Sequence, residues 1–187
     1  QGVSSAASDV YKRQQKISLG GGVTVSFSDG GQRGRYYPGL LNFLREEYPD
    51  AIGPLPPESG MIHDHCYRFC LELDCFLYNG LQDGKAALGT MTYYAPKSAW
   101  LIRRTTSYGF AAKGGSNDVS HNHNDIGSFI VVSGGRQLLC DLGPGEYVKD
   151  YFNDQKRYQY FCTSSRGHSV PVINGQLQGH GAKYRSV

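Results

Sequence analysis

The hydrophobic pattern of this chain changes from a helical to a strand-like period near residue 91, and this change limits the fold more than any other feature. Before it, apolar residues recur at steps of three and four in two segments, 37–48 and 62–77. After it, short apolar or alternating runs are separated by Pro96, Gly114-Gly115 and Gly134-Gly135. Helices followed by antiparallel strands predict two domains or a segregated α+β fold, rather than alternating βαβ units.

Local signals bound several of these elements. Pro38 suits the first turn of a helix, because the N–H that proline lacks is not needed there, and Pro49 is a natural stop. The second helix is expected to end at Asn79-Gly80, which has the chemistry of a C-cap. Residues 17–28 (ISLGGGVTVSFS) predict a short strand or an extended lead-in broken by glycines. Gly134-Gly135 predicts a tight hairpin turn, because glycine adopts positive φ at low cost.

Both ends of the chain have features of a fragment. The opening VSSAASDVYKRQ has no apolar run and no periodicity, and it resembles translated adapter sequence. We therefore expect residues 1–14 to be foreign to the fold. The other end follows closely on a turn predicted at Asn174-Gly175, before any partner strand. A chain truncated at both ends is expected, so the lack of a targeting signal says nothing about localisation.

Charge and hydropathy exclude two classes of partner. The net charge of +3 is too small to predict nucleic-acid binding. Residues 98–187 carry ten Lys or Arg against six Asp or Glu, so this half tolerates an acidic ligand better than residues 1–97, which carry nine against ten. No run approaches the roughly 18 apolar residues that span a bilayer. Neither a nucleic-acid nor a membrane partner is expected.

The cysteines do not predict a disulfide framework or a zinc finger. Their number is odd and none are in CxxC spacing: Cys66, Cys70, Cys75, Cys140 and Cys162. The first two lie one helical turn apart and are most simply small core residues. Free cysteines mildly favour a reducing, cytoplasmic compartment.

Three histidines and a carboxylate around the predicted hairpin indicate a metal site. His121 and His123 alternate in SHNHND, so an extended segment would point both to one face, where Asp141 and His168 can join them from other strands. Two histidines and one carboxylate with an open position are a ligand set of zinc. The neighbouring Asn122, Asn124 and Asp125 are short polar groups able to orient imidazoles.

Hairpin geometry sets a condition on this site. If Gly134-Gly135 is a two-residue turn, Asp141 lies opposite Ser128, and five extended residues separate Ser128 from His123 by roughly 17 Å. Residues 124–127 must then fold back or bulge, which Asn, Asp and Gly permit. A straight strand through 122–128 would break the site.

The segment SHNHNDIGSFIVVSGGRQLLCDLGPGEY, then Arg157-Tyr158, then RGHSVPVINGQLQ, resembles the start of the C-terminal β-sandwich of the heparinase II/III-like proteins. The resemblance covers about residues 108–178. It implies an α+β fold, with the end of an (α/α) toroid at 15–90 followed by an antiparallel β-sandwich at 91–187. Members of the family are polysaccharide lyases, which implies a periplasmic or secreted location.

The same resemblance implies roles for individual residues. His123, Asp141 and His168 would hold zinc, while His121 and Tyr158 would be catalytic. The implied substrate is an acidic, uronate-containing polysaccharide cleaved by β-elimination. The family's main catalytic tyrosine lies in the toroid, and neither His63 nor His65 can be assigned to that machinery, so this piece alone is expected to be inactive.

Other interpretations of the same residues stay open. Gly115, His121 and His123 reproduce the opening of a cupin metal motif, but the glutamate that a cupin needs four or five residues later is replaced by Gly127 and Ser128. A non-catalytic carbohydrate-binding or structural β-sandwich with a structural zinc is a second alternative. For Tyr158, the segment RYQYF also fits an ordinary strand.

Overall fold

A computed structural model describes residues 15–34, 38–49 and 88–184, together with positions 12, 73, 76 and 77. The chain divides into two compact units, Gln1–Ser18 with Gly34–Gly89, and Leu19–Arg33 with Thr90–Val187. The helix predicted at 62–77 lies largely outside the described residues, as do His63 and His65. The domain boundaries expected from the sequence stay a prediction.

The first unit contains the helix that the sequence predicts around residues 37–48. This helix, α1, spans Pro38–Glu47, so the proline occupies its first turn as expected. Leu41 and Asn42 are its most buried described residues. Among the described residues, no helix combines the length and apolar character that crossing a bilayer requires.

The described residues form two antiparallel sheets. The smaller sheet pairs β1 (Ser18–Gly20) with β2 (Val23–Thr24), which confirms the strand interrupted by glycines. The larger sheet has five strands in sequence order: β3 (Met91–Ala95), β4 (Trp100–Arg104), β5 (Tyr108–Lys113), β6 (Phe129–Ser133) and β7 (Arg136–Leu139). The described residues are mostly β with few helices, which agrees with a C-terminal β domain. The toroid and the sandwich stay predictions.

The β6–β7 hairpin has the turn that the sequence predicts. Ser133 pairs with Arg136, and the two glycines between them have φ of 55° and 72°. Positive φ at both positions is typical of a type I′ turn, whose twist matches the flanking strands. The register shifts between Val131 and Val132, so that Val131 faces Leu139.

One face of the larger sheet forms the core of the second unit. Ile102, Ala111 and Ile130 are cross-strand neighbours and are completely buried. Each fully buried large aliphatic side chain contributes about 1.5–3 kcal/mol to folding. Residues 19–33 pack on this face. The backbone of Leu19 occupies the space that a β-carbon at Gly109 would fill, and the ring of Phe27 meets that of Trp100 at 5.4 Å.

After β7 the chain continues through four short 3-10 helices, Arg157–Gln159, Phe161–Thr163, Ser165–Gly167 and Ala182–Tyr184. The interpretation of RYQYF as an ordinary strand is therefore wrong. The reason is tertiary, because the buried Arg157 guanidinium donates to the backbone carbonyls of Asn122 and Tyr151 and holds the segment in a tight turn. The turn predicted at Asn174-Gly175 is present, since both residues have positive φ between the bridged Ile173 and Gln176.

Candidate functional site

The two histidines of SHNHND lie in a turn and the residues directly after it, not on a strand. The backbone N–H of Asn122 donates to the carbonyl of Val119 over 3.2 Å, and His121 has a φ of 59°. Histidine is one of the few side chains enriched in this left-handed region. The extended arrangement expected for these residues is therefore wrong. The turn leaves the His121 side chain 60% exposed, whereas that of His123 is fully buried.

Asp29 joins the two histidines. Its Oδ2 lies 2.9 Å from Nδ1 of His121, and its Oδ1 lies 2.9 Å from Nε2 of His123. The hydroxyl of Tyr151 donates to Oδ1 over 2.7 Å, and Nη2 of Arg157 donates to Oδ2 over 3.0 Å. Burial works against ionisation, but these four hydrogen bonds outweigh it and hold the pKa of Asp29 below its ordinary value. The Asp29 carboxylate is thus ionised and contacts four side chains.

A second buried cluster contains Asp141 and His168. Nδ1 of His168 lies 2.7 Å from Oδ2 of Asp141, and neither side chain is exposed. The Ser128 hydroxyl and the Gly143 N–H donate to the same carboxylate over 3.0 Å each. Burial lowers the pKa of His168, but the hydrogen bond and charge of Asp141 outweigh it, so the net direction is upward. Asp125, Asp141 and His168 have ligand atoms within 4.8 Å of one another and form a group that could hold a metal ion.

His123 adjoins this cluster. Its ring and that of His168 have centroids 5.3 Å apart. Nδ1 of His123 and Nε2 of His168 are both buried without a hydrogen-bond partner among the described residues. An unpaired buried polar atom costs about 1–3 kcal/mol, so such atoms call for an explanation. A metal ion bound between unprotonated nitrogens would supply one, and the donor set of imidazoles and carboxylates fits a divalent ion.

The neighbouring Asp125 already has a counter-charge, the ammonium group of Lys113. Nζ of Lys113 lies 2.5 Å from its Oδ1, and the Lys113 side chain is only 5% exposed. The same ammonium donates to Asn122 Oδ1 over 2.6 Å and to Ser28 Oγ over 2.7 Å. Burial lowers the pKa of Lys113, although the charge of Asp125 opposes this. Because an ammonium group already neutralises Asp125, a metal ion would gain less from this carboxylate than from Asp141.

The fold-back that the metal hypothesis requires is present. β6 begins only at Phe129, Gly127 has a φ of 85°, and the N–H of Ser128 donates to the carbonyl of Asp125 over 3.0 Å. The chain therefore turns between His123 and β6 instead of running straight. With this turn, His123 lies beside His168, which contacts Asp141.

A cleft of about 1190 Å³ opens beside His121. Its walls come from residues 27–30, the β3–β4 turn, the end of β5 and the loop before β6, and its aromatic lining includes Tyr94, Trp100 and Tyr147. Neither His123, Asp141 nor His168 lines it. The site therefore has two parts, an open cleft at His121 and a buried cluster behind its wall, with Asp29 contacting both His121 and His123.

Tyr158, the other residue predicted to be catalytic, does not line this cleft. It is partly buried and stacks on His180, with ring centroids 4.3 Å apart and an angle of 14° between the rings. Burial raises its pKa. Tyr147 lines the cleft instead, 55% exposed and in ring contact with Tyr151 and Phe152.

Sequence reasoning missed Asp29, Tyr147 and Tyr151. Asp29 lies in SDGG, which by itself indicates only a turn, and no local pattern connects it with a histidine 92 residues later. Tyr147 belongs to DLGPGEY, and its nearness to Asp141 was the one available signal.

Comparison with protein families assigns residues 89–184 to a known domain family. The model of the heparinase II/III-like C-terminal domain matches residues 89–184, just over half of the chain. The match contains β3 to β7 and both histidines of the SHNHND turn. No curated protein matches the chain. The resemblance noted in the sequence is therefore confirmed, and the chain belongs to the heparinase II/III-like family.

Proposed function

We propose that this domain forms one wall of the substrate cleft of a polysaccharide lyase, which cleaves uronate-containing glycans by β-elimination. The observation that carries the proposal is the position of His121, exposed at a wide cleft while its Nδ1 contacts the buried Asp29. Family membership supports the reaction class. Aromatic lining and Lys97 at the β3–β4 turn suit an acidic sugar chain.

The reaction needs a base, an acid and a group that neutralises the uronate carboxylate. The base removes the proton next to the carboxylate, the electron pair forms a carbon–carbon double bond, the bond to the glycosidic oxygen breaks, and the acid protonates that oxygen. His121 is proposed as the base or as the neutralising group. An acid or base in position typically contributes about 10²- to 10⁴-fold to the rate.

The acid is proposed to be a tyrosine. Tyr158 was the candidate from the family resemblance, but Tyr147 shares the cleft with His121. The hydroxyl of Tyr151 is buried against Asp29 and already donates to it, so it is less available to a substrate. Tyr147 is therefore the better candidate.

Zinc is proposed as the ion of the buried cluster, held by His123, Asp141 and His168. The unpartnered nitrogens of both histidines support His123 and His168 as ligands, and Asp141 is included because the family resemblance implies it. The Lys113 ammonium beside Asp125 argues against Asp125 as a ligand. When bound, zinc would hold the cleft wall in place, because the cluster does not line the cleft. The protein groups of the wall would then orient His121 through Asp29.

The buried position of the cluster also favours a second function, a carbohydrate-binding β domain with a purely structural metal. One set of assays separates the two functions. This chain, and a longer family member with the same SHNHND and RGH motifs, would be incubated with a panel of polyuronates. Unsaturated uronate products would be followed by their ultraviolet absorbance, and glycan binding by calorimetry.

For a lyase, we expect product from the longer protein, and a loss of about 10²- to 10⁴-fold when the residue equivalent to His121 is replaced by alanine while zinc is retained. Glycan binding without product from any polyuronate would favour the binding domain. The absence of both product and glycan binding would contradict both functions.

A further inference from the structure

The family match begins at residue 89, yet the carboxylate that contacts His121 comes from residue 29. Residues 19–33 belong to the same compact unit as residues 90–187. They contact the buried cluster as well as the sheet. Ser26 Oγ and Gln32 Nε2 donate to the backbone carbonyl of Asp141 over 3.3 and 3.0 Å, and Gly143 packs against the carbonyl of Gly30. This early segment thus completes the site from outside the recognised family domain.

We infer that Asp29 is a positioning residue for His121, and that residues 19–33 are therefore a working part of the catalytic site. This inference rests on the proposed lyase function. The Asp29 carboxylate takes the Nδ1 side of the His121 ring, which leaves Nε2 as the ring nitrogen available to a substrate in the cleft. A carboxylate that holds one ring nitrogen fixes both the orientation and the tautomer of an imidazole.

His121 needs such support because of where it lies. Its side chain is exposed and is carried by a turn, so its rotamer is not set by a packed core. Besides Asp29, the structure gives it one ring contact, an edge-on approach of Phe152 with centroids 5.3 Å apart. Asp29 is the only carboxylate among the described residues with an oxygen in hydrogen-bonding contact with this ring.

Asp29 is itself firmly held, which a positioning residue requires. It is only 6% exposed, and each of its oxygens has two partners. Oδ2 faces His121 and Arg157, whereas Oδ1 faces His123 and Tyr151. The Arg157 guanidinium is also bound to the backbone of Asn122, next to His121. The carboxylate cannot rotate toward or away from His121 without breaking contacts on its other side.

The first test measures the tautomer of His121 directly and does not depend on activity. At one fixed pH, nitrogen NMR of the imidazole rings would be recorded for the 187-residue chain and for Asp29→Asn, which keeps the shape but loses the charge. We expect the Nδ1-protonated form of His121 in the parent chain, and a clear fall of its population in Asp29→Asn. Unchanged His121 signals in the folded variant would overturn the inference.

The second test reads catalysis in the longer family member described above. Asp29→Asn and Asp29→Ala at the equivalent position are expected to lower kcat about 10- to 100-fold, with KM changed much less and with zinc retained in Asp29→Asn. Asp29→Glu is expected to recover part of kcat because it restores the carboxylate. The matched control is Asp150→Ala, since Asp150 forms an exposed ion pair with Lys156 and should leave kcat unchanged.

The outcomes separate the inference from the function it rests on. If the parent protein yields no unsaturated product, the lyase function fails, while the NMR result still decides whether Asp29 sets the state of His121. If the parent is active but Asp29→Asn keeps full kcat, the inference is overturned. It is also overturned if the lost activity tracks lost zinc and added zinc restores it, because Asp29 would then act through His123.

Discussion

His121 and His123 are one residue apart and share the Asp29 carboxylate, yet their surroundings are opposite. His121 is largely exposed at the edge of the cleft, whereas His123 is fully buried beside His168. A group that meets a substrate must be accessible, and a group that holds an ion gains from burial among fixed donors. The difference teaches that burial, rather than spacing in the sequence, separates the roles proposed for the two histidines.

The largest expected effect on stability comes from a substitution in the buried cluster of Asp141 and His168. Asp141→Ala removes the partner of His168 and the acceptor of the Ser128 hydroxyl, both inside the protein. Each buried polar group left without its partner costs about 1–3 kcal/mol, and two groups lose theirs here, so a loss of about 2–6 kcal/mol is expected. Urea unfolding of the parent and variant chains would measure this as a fall in the free energy of unfolding.

His121→Ala is the matched control on the exposed side. Since the side chain is 60% exposed and Asp29 keeps three other hydrogen-bond partners, its removal should lower the free energy of unfolding by about 1 kcal/mol, well below the loss for Asp141→Ala. Equal losses in the two variants would remove the distinction between a buried centre and an exposed cleft residue.

Substitution of the two tyrosines tests which of them acts in the cleft. Tyr147→Phe, at the position equivalent to Tyr147 in the active longer family member, is expected to lower kcat by about 10²-fold, because it removes the hydroxyl of a tyrosine that lines the cleft with His121. Tyr158→Phe keeps the ring that stacks on His180 and should leave kcat nearly unchanged. The reverse order would return the catalytic role to Tyr158, as the family resemblance first implied.

A smaller effect is expected from metal binding to the parent chain. Free zinc at ten times its dissociation constant should raise the free energy of unfolding by about 1.4 kcal/mol, if zinc binds only the folded state. Thermal melting with zinc and after chelation would measure the shift.

Two substitutions compare the alternative ligand sets. His123→Gln should abolish the response to zinc, whereas Asp125→Asn should preserve it, because Asp125 is already paired with Lys113. A response lost only in Asp125→Asn would favour the group of Asp125, Asp141 and His168 instead.

Much of the β domain was accessible from local sequence pattern. The strand runs and the glycine turn of the β6–β7 hairpin follow from side-chain period and from the backbone freedom of Gly. The fold-back before β6 was only a condition of the metal hypothesis, which Asn, Asp and Gly permit. The expectation that His121 and His123 lie on an extended segment failed because a turn at His121 competes with a strand, and polar residues favour either. The interpretation of RYQYF as a strand failed for a different reason. Its apolar pattern fits a strand, but its arginine is buried and donates to the backbone carbonyl of Tyr151.

The sequence by itself determined the family and the strands, because these depend on neighbours along the chain, and it supplied the residues proposed for a metal site. Only the tertiary structure decided that Asp29 meets His121, that Tyr147 rather than Tyr158 shares the cleft, and that His123 lies inside the wall. Those relations join residues far apart in the chain, and the contact of Asp29 with His121 depends on the packing of residues 19–33 on the sheet. Side-chain period and turn chemistry carry no information about such distant partners.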